Sequence, residues 1–348
     1  MSSVSENSAP PASPVTAPAP PAVAQPSRIR AILSNQQFLL FIALALLVIY
    51  FSVRDSNFAS SSEINNVLNT FSEIILLAIA ETYVIISGGI DLSVGSAASF
   101  SGVVGGLVMA HLVSAHDPQF AILGVGTVVC AVAGLAVGLV NAALILWARL
   151  VPFVATLATL GAMGGLAIVL SNGEPVGLDT GTAALVSQQY VRFSPTAIVV
   201  IVLTVLAWLW LHLTRFGRYT YAIGSNSFAA RAAGINVRRH TARVYALSGL
   251  LAGLAGMVFY LNLESAAPTA GVNYELQAIA AVVIGGVSLT GGSGRMTGTI
   301  LGALILTVVY SGLIQLNVSP NWIPVAIAVL IAAAASLQAL RPSGRRQT

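Results

Sequence analysis

Residues 215–243 read RFGRYTYAIGSNSFAARAAGINVRRHTAR. The stretch holds six arginines (Arg215, Arg218, Arg231, Arg238, Arg239 and Arg243) and no acidic residue. Apolar runs long enough to cross a bilayer flank it on both sides. A cationic island between two spans marks the cytoplasmic side, where basic loops are retained. The island is also long enough to hold a short helix, so it offers a surface to a soluble partner. Once its side is set, the side of every other loop follows.

The rest of the composition agrees with a membrane setting. Of 348 residues, 56% are hydrophobic and 7% charged, and the mean hydropathy is +0.88. Soluble domains carry about 25% charged residues. The fold expected is therefore all-α, a polytopic helical protein embedded in a lipid bilayer. All fifteen basic residues are arginine. The formal charge of +4 is sorted by membrane side and forms no continuous patch, so no nucleic-acid partner is implied. The single Cys130 forms no intrachain disulfide, and one thiol is no metal site.

Outward from the loop, about ten crossings are predicted. A helix rises about 1.5 Å per residue, so about 20 residues span the hydrocarbon. The spans read as roughly 36–53, 64–87, 92–113, 119–147, 151–171, 195–214, 243–263, 275–290, 296–316 and 321–340. Residues 1–35 are a disordered, Pro/Ala-rich cytoplasmic tail, 36–340 the membrane domain, and 341–348 a basic cytoplasmic tail. This threading puts both termini inside. Thirteen arginines then fall inside and only Arg54 and Arg192 outside. Asp55, Glu63, Asp117, Glu174, Asp179, Glu264 and Glu275 fall outside or at that edge. Two outer segments, Asn172–Ser194 and Glu264–Tyr274, read either as ordinary loops or as docking surfaces for an external partner.

Two glycine turns echo each other. Gly88–Ser93 reads GGIDLS and Gly285–Thr290 reads GGVSLT. Each ends one apolar helix and opens a Gly-rich one, so two Gly-rich parallel repeats are expected, with Gly88, Gly89, Gly285 and Gly286 as the structural turns. The segment before Gly285 is short enough to turn back inside the membrane, which protein or a water-filled cavity would have to satisfy.

Polar residues inside the spans are the candidate site. Asp91 reads as a cap for the next helix and as a polar group on a transport path; the two roles coexist. Glu73 and Glu81, eight residues apart, share a helical face. Glu73 reads as close to the outer interface, and Glu81, the deeper of the two, is the better pathway candidate. Proton coupling lacks a cationic partner in any span centre. Asn141, Thr156, Thr159, Asn262 and Gln315 read as interhelical hydrogen-bond formers, some of them cavity-lining. Spacings such as Gly102–Gly106, Gly134–Gly138, Gly161–Gly165 and Gly249–Gly253 report close helix packing. A phosphate loop with its lysine is missing, and His111, His116, His212 and His240 are scattered, so neither nucleotide nor metal cofactor is expected.

Three stretches together carry a family resemblance: VIISGGIDLSVGS at 84–96, AIGSNSFAARAAGINVRRHTARVYALSGLLAGLA at 222–255, and IAAVVIGGVSLTGGSGRMTGTILG at 279–302. The chain resembles the permease subunit of bacterial sugar ABC importers of the ribose, xylose and galactose type, from about Gln36 to Leu340. The resemblance implies an inner-membrane permease with no enzymatic activity of its own. It further implies a dimer with a second permease chain, an ATPase with tandem nucleotide-binding domains, and a periplasmic sugar-binding protein. The family's coupling helix reads close to Gly-Asn-Pro-Glu-Ala-Ala-Arg followed by Gly-Ile. Asn226, Ser227, Phe228, Ala229, Ala230, Arg231 and Gly234 hold those positions here. Ser227 stands for the proline and Phe228 for the glutamate, which removes a salt bridge and offers an aromatic ring to an apolar groove. On this resemblance a pentose or hexose passes along the dimer interface by alternating access. The pathway candidates are Glu81, Asp91, Asn141, Thr156 and Ser288, with Asp91 and Ser288 at matching places in the repeats. A permease for another small polar solute, such as an amino acid, and an ion-coupled transporter remain the alternatives.

Overall fold

Eight helices among the described residues are long and apolar enough to cross a membrane. They belong to a computed structural model that describes residues 36–187 and 194–339. The expected terminal tails, and the arginines assigned to them, lie outside the described residues, as does Arg192.

The helices are α1 Gln36–Arg54, α2 Ser61–Ile86, α3 Val94–Ser114, α4 Gln119–Leu146, α5 Pro152–Leu170, α6 Thr180–Ser187, α7 Pro195–Leu213, α8 Arg215–Ser225, α9 Ser227–Ala232, α10 Val237–Asn262, α11 Tyr274–Ile284, α12 Met296–Gln315 and α13 Ile323–Ala339. Two strand residues on each side pair antiparallel, β1 Val176–Gly177 with β2 Ser265–Ala266. The chain is a multi-pass helical membrane protein.

Local chemistry sets the boundaries. The Ser60 hydroxyl accepts from Glu63 N–H at 3.2 Å and starts α2, a Ser-x-x-Glu capping pattern. Asn236 does the same for Arg239 at 3.0 Å, so α10 begins at Val237, six residues before the predicted span start at 243. The predicted span 275–290 shortens to α11. Eleven residues rise about 16 Å, half a bilayer. The segment 267–273 leads into it and is held by protein: the Gly271 N–H donates to Ser99 Oγ at 2.7 Å.

The core helices are α2 and α10. From Phe71 to Ile86 every α2 residue is buried. On α10, Gly249 and Gly253 face Gly134 and Gly138 of α4 so closely that a Cβ on any of them would overlap backbone. Gly102 of α3 meets Gly256 of α10 in the same way. These contacts bear out small-residue packing for three helices. The stripe on α5 differs: a side chain added at Gly161, Gly164 or Gly165 would meet nothing within 4 Å.

Candidate functional site: a basic corner over a buried carboxylate

The basic loop folds into two short helices with a corner at Asn226. Asn226 is extended (φ −160°, ψ 101°) and its Oδ1 accepts from Ala229 N–H at 2.9 Å, which ends α8 and caps α9. Gly234 closes α9 at φ +84°, with its N–H on Arg231 O and that of Ile235 on Ala230 O, both 3.0 Å. That is a helix-ending turn for which glycine is the natural residue. Asn226–Gly234 is therefore one capped unit. Phe228 is 80% exposed on it, whereas Ala230 is buried against its own chain.

The corner rests directly on both glycine turns. The Gly292 N–H donates to Ile86 O, the last carbonyl of α2, at 2.9 Å. A Cβ on Gly224, at the end of α8, would overlap that carbonyl oxygen and come within 2.7 Å of Gly292 N. Tyr221 of α8 donates to Gly294 O at 2.9 Å. Three backbone segments thus meet where only glycine fits. A cavity of about 560 Å³ opens beside them, touching Gly88, Gly89, Asn226, Ser227, Tyr245 and Thr290.

The two turns share one backbone motif, one residue out of step with the sequence echo. In the first, Gly88 has φ +90°, and Gly88 and Gly89 donate to Ile85 O and Val84 O. In the second, Gly286 has φ +85°, and Gly286 and Val287 donate to Val283 O and Val282 O. Gly286 therefore matches Gly88, and the counterpart of Asp91 is Leu289, not Ser288. Ser288 sits in a surface turn, bonded to Thr290 Oγ1 at 2.7 Å.

Beneath the first turn, Asp91 is 1% exposed and gathers four donors. Its Oδ1 accepts from Ser93 N–H at 3.0 Å, Ser93 Oγ at 2.6 Å and Asn141 Nδ2 at 3.4 Å. Its Oδ2 accepts from Ser248 Oγ at 2.7 Å. Asn141 also donates to Ser93 Oγ at 2.7 Å. The cap position of α3 is Ser93, so Asp91 holds that residue instead of capping the helix itself. Thr156 Oγ1 accepts from Leu92 N–H at 3.1 Å and donates to Pro152 O at 3.0 Å. The structure thus brings together Asp91, Asn141 and Thr156, from one turn and two helices. It adds Ser93 and Ser248, which look in sequence like ordinary small residues of a Gly-rich helix.

Glu81 is fully buried nearby, and neither of its carboxylate oxygens has a hydrogen-bond partner among the described residues; nor do Tyr245 Oη and Asn141 Oδ1. Glu73 lies in the bundle interior and not at its outer edge. Its oxygens accept from Tyr274 Oη at 2.7 Å and Asn262 Nδ2 at 3.1 Å. These bonds tie α2 to the end of α10 and the start of α11. At the opposite end of the bundle from the corner, β1–β2 and the bond from Leu178 N–H to Glu264 O at 2.8 Å join the stretches that follow α5 and α10.

Residues 63–335 match the family described as branched-chain amino acid transport system / permease component. The ribose import permease protein of Bacillus subtilis is 41% identical over 282 residues, covering 80% of this chain and 85% of that protein. The ribose import permease protein of Escherichia coli K12 is 40% identical over 295 residues, covering 83% and 89%. The galactose/methyl galactoside import permease protein of the same strain is 31% identical over 316 residues, covering 87% and 94%. The chain belongs to the branched-chain amino acid transport system permease component family.

Proposed function

We propose that this chain is the membrane-spanning permease subunit of an ATP-driven importer that moves a monosaccharide, a pentose or hexose, across the bacterial inner membrane. Ribose is the first candidate, because the ribose import permeases of two distant bacteria are about equally similar to it. The observation that carries the reading is the contact of Gly224 with Ile86 O and Gly292 N. It lets a push on the cytoplasmic corner reach both membrane turns without a flexible link.

The mechanism follows from that contact. A soluble ATPase with tandem nucleotide-binding domains grips α9 through Phe228, Arg231 and their neighbours. ATP binding draws its two halves together and moves the corner. Because α8 abuts the α2–α3 and α11–α12 turns, both shift with it. The bonds of Asp91 to Asn141 and Ser248 make α4 and α10 follow the first turn. The bundle then alternates between outward and inward openings. A sugar-binding protein delivers substrate at the face where β1–β2 joins the outer segments. A second permease chain covers α5, whose open Gly161, Gly164 and Gly165 allow a close helix contact. The termini lie on the cytoplasmic side.

A small amino acid is the second reading, favoured by the family description itself. Ion coupling draws no support from Glu73 or Glu81, neither of which has a cationic hydrogen-bond partner among the described residues. The test is reconstitution of the chain with its ATPase and binding protein in proteoliposomes. ATP-dependent uptake of D-ribose, D-allose or D-galactose is expected. Uptake of amino acids alone, or uptake without ATP, overturns the proposal.

A further inference from the structure

The face formed by α11, α12 and α13 carries polar side chains that have no hydrogen-bond partner among the described residues. A groove of about 390 Å³ there is lined by apolar Val272, Leu276 and Ile327, with Asn273, Gln277 and Tyr310 among them. That volume lies within the roughly 300–1,000 Å³ typical of small-molecule sites. No hydrogen bond to the side chain of Asn273, Gln277 or Tyr310 occurs among the described residues. Asn273 occupies the cap position of α11 with φ 69°, yet its side chain makes no cap bond.

Tyr274, next to Asn273, donates to Glu73. On α2, Glu73 lies ten residues from Glu63 near the outer end and thirteen from Ile86 at the inner end. At 1.5 Å per residue these are about 15 and 20 Å. The start of α11 is therefore near the bilayer midplane, and Gln277 is one turn further in. Free amides at that depth do not face hydrocarbon; they face protein or a water-filled path. A half-length helix that begins at midplane after an irregular segment is the arrangement around which transporters build substrate sites.

We infer that Asn273, Gln277 and Tyr310 form a monosaccharide station on the translocation path, and this rests on the sugar reading above. The two amides offer donors and acceptors to sugar hydroxyls, the Tyr310 hydroxyl offers a third partner, and Val272, Leu276 and Ile327 meet the apolar face of the ring. A sugar satisfies the free amides while crossing and leaves them without deep binding.

The test uses the full complex in proteoliposomes with radiolabelled D-ribose, D-allose and D-galactose. Gln277→Leu keeps the side-chain bulk and removes the hydrogen bonds; loss of one or two such bonds predicts about a tenfold fall in uptake rate. Asn273→Asp, which tolerates the same backbone angle, is expected to change the relative rates of the three sugars. The amount of assembled complex serves as the folding control. A Gln277→Cys variant is expected to react with a water-soluble maleimide and to be protected by the transported sugar; Cys130 is buried and does not interfere. Normal sugar uptake by both Gln277→Leu and Asn273→Asp, or a Gln277→Cys that stays unreactive because lipid or a helix covers it, overturns the station and leaves the sugar reading intact. Failure of the wild type to move any sugar overturns both.

Discussion

Gly292 donates its N–H to the carbonyl oxygen of Ile86, closing the turn after α11 onto the end of α2 at 2.9 Å. Gly224 packs so close to that bond that a Cβ on it would overlap the Ile86 carbonyl oxygen. Three segments distant in sequence form one rigid seat under α8 and α9. Rigidity is what the proposed function requires, since a compliant seat would absorb the ATPase stroke.

Gly224→Ala tests that seat. The added methyl overlaps the Ile86 carbonyl, so the contact must open. Overpacking of this kind costs about 1–3 kcal/mol. The expected outcome is a lowered Tm of the purified protein, with ATP hydrolysis by the complex no longer matched by uptake. Gly124→Ala is the control: its Cβ meets nothing within 4 Å, and a helical glycine replaced by alanine gains about 0.5–1 kcal/mol. Equal Tm values for the two variants would refute the seat.

Phe228 is the residue to test for ATPase docking. Ala230 looks in sequence like an equally good choice, but it is buried, so a large replacement there would disturb the chain itself. Phe228 stands 80% exposed on a helix capped at both ends. Aromatic anchors at interface centres commonly contribute about 2 kcal/mol or more. Phe228→Ser is expected to weaken ATPase binding by about thirtyfold with an unchanged Tm. Co-purification with the ATPase measures the first and thermal unfolding the second; undiminished association would sink the assignment.

Much of the fold is legible in the sequence. Apolar length gives eight of the ten predicted spans, because the bilayer imposes length directly. Asn226 and Gly234 announce the short capped helix between them, since caps are local chemistry. Asp91, Asn141 and Thr156 were identifiable one by one as costly polar groups. Their meeting was not, because it depends on how α4 and α5 cross the turn. Ser248 and Gly224 gave no signal: a serine and a glycine among many in Gly-rich helices differ only in what they touch. The one-residue slip between the two turns was hidden for a related reason. GGIDLS and GGVSLT align by letters, whereas the backbone aligns by which glycine has positive φ.

Gly165→Leu addresses the open stripe on α5. A Cβ at Gly161, Gly164 or Gly165 would meet nothing within 4 Å among the described residues, unlike one at the glycines that pack α4 on α10. Small residues permit close helix approach in membranes. If a second permease chain lies against α5, a leucine at 165 holds the backbones apart. Cross-linking in membranes is expected to show loss of the permease dimer while the monomer keeps its Tm. A dimer that survives both Gly161→Leu and Gly165→Leu places the interface elsewhere.

The last prediction concerns the Asp91 cluster. Asp91→Asn keeps shape and hydrogen-bonding size but leaves one acceptor oxygen where the carboxylate serves Ser93, Asn141 and Ser248. An amide NH₂ then faces a donor, and a buried donor left unmatched costs about 1–3 kcal/mol. Ser248→Ala removes a single bond and is expected to cost about 1 kcal/mol. The two act on one network, so the double variant should fall short of their sum by about 0.5 kcal/mol or more. Denaturant unfolding of the four proteins in detergent measures the cycle. Strict additivity would mean that α10 is not tied to the first glycine turn through Ser248, and the turn would then move without carrying α10 along.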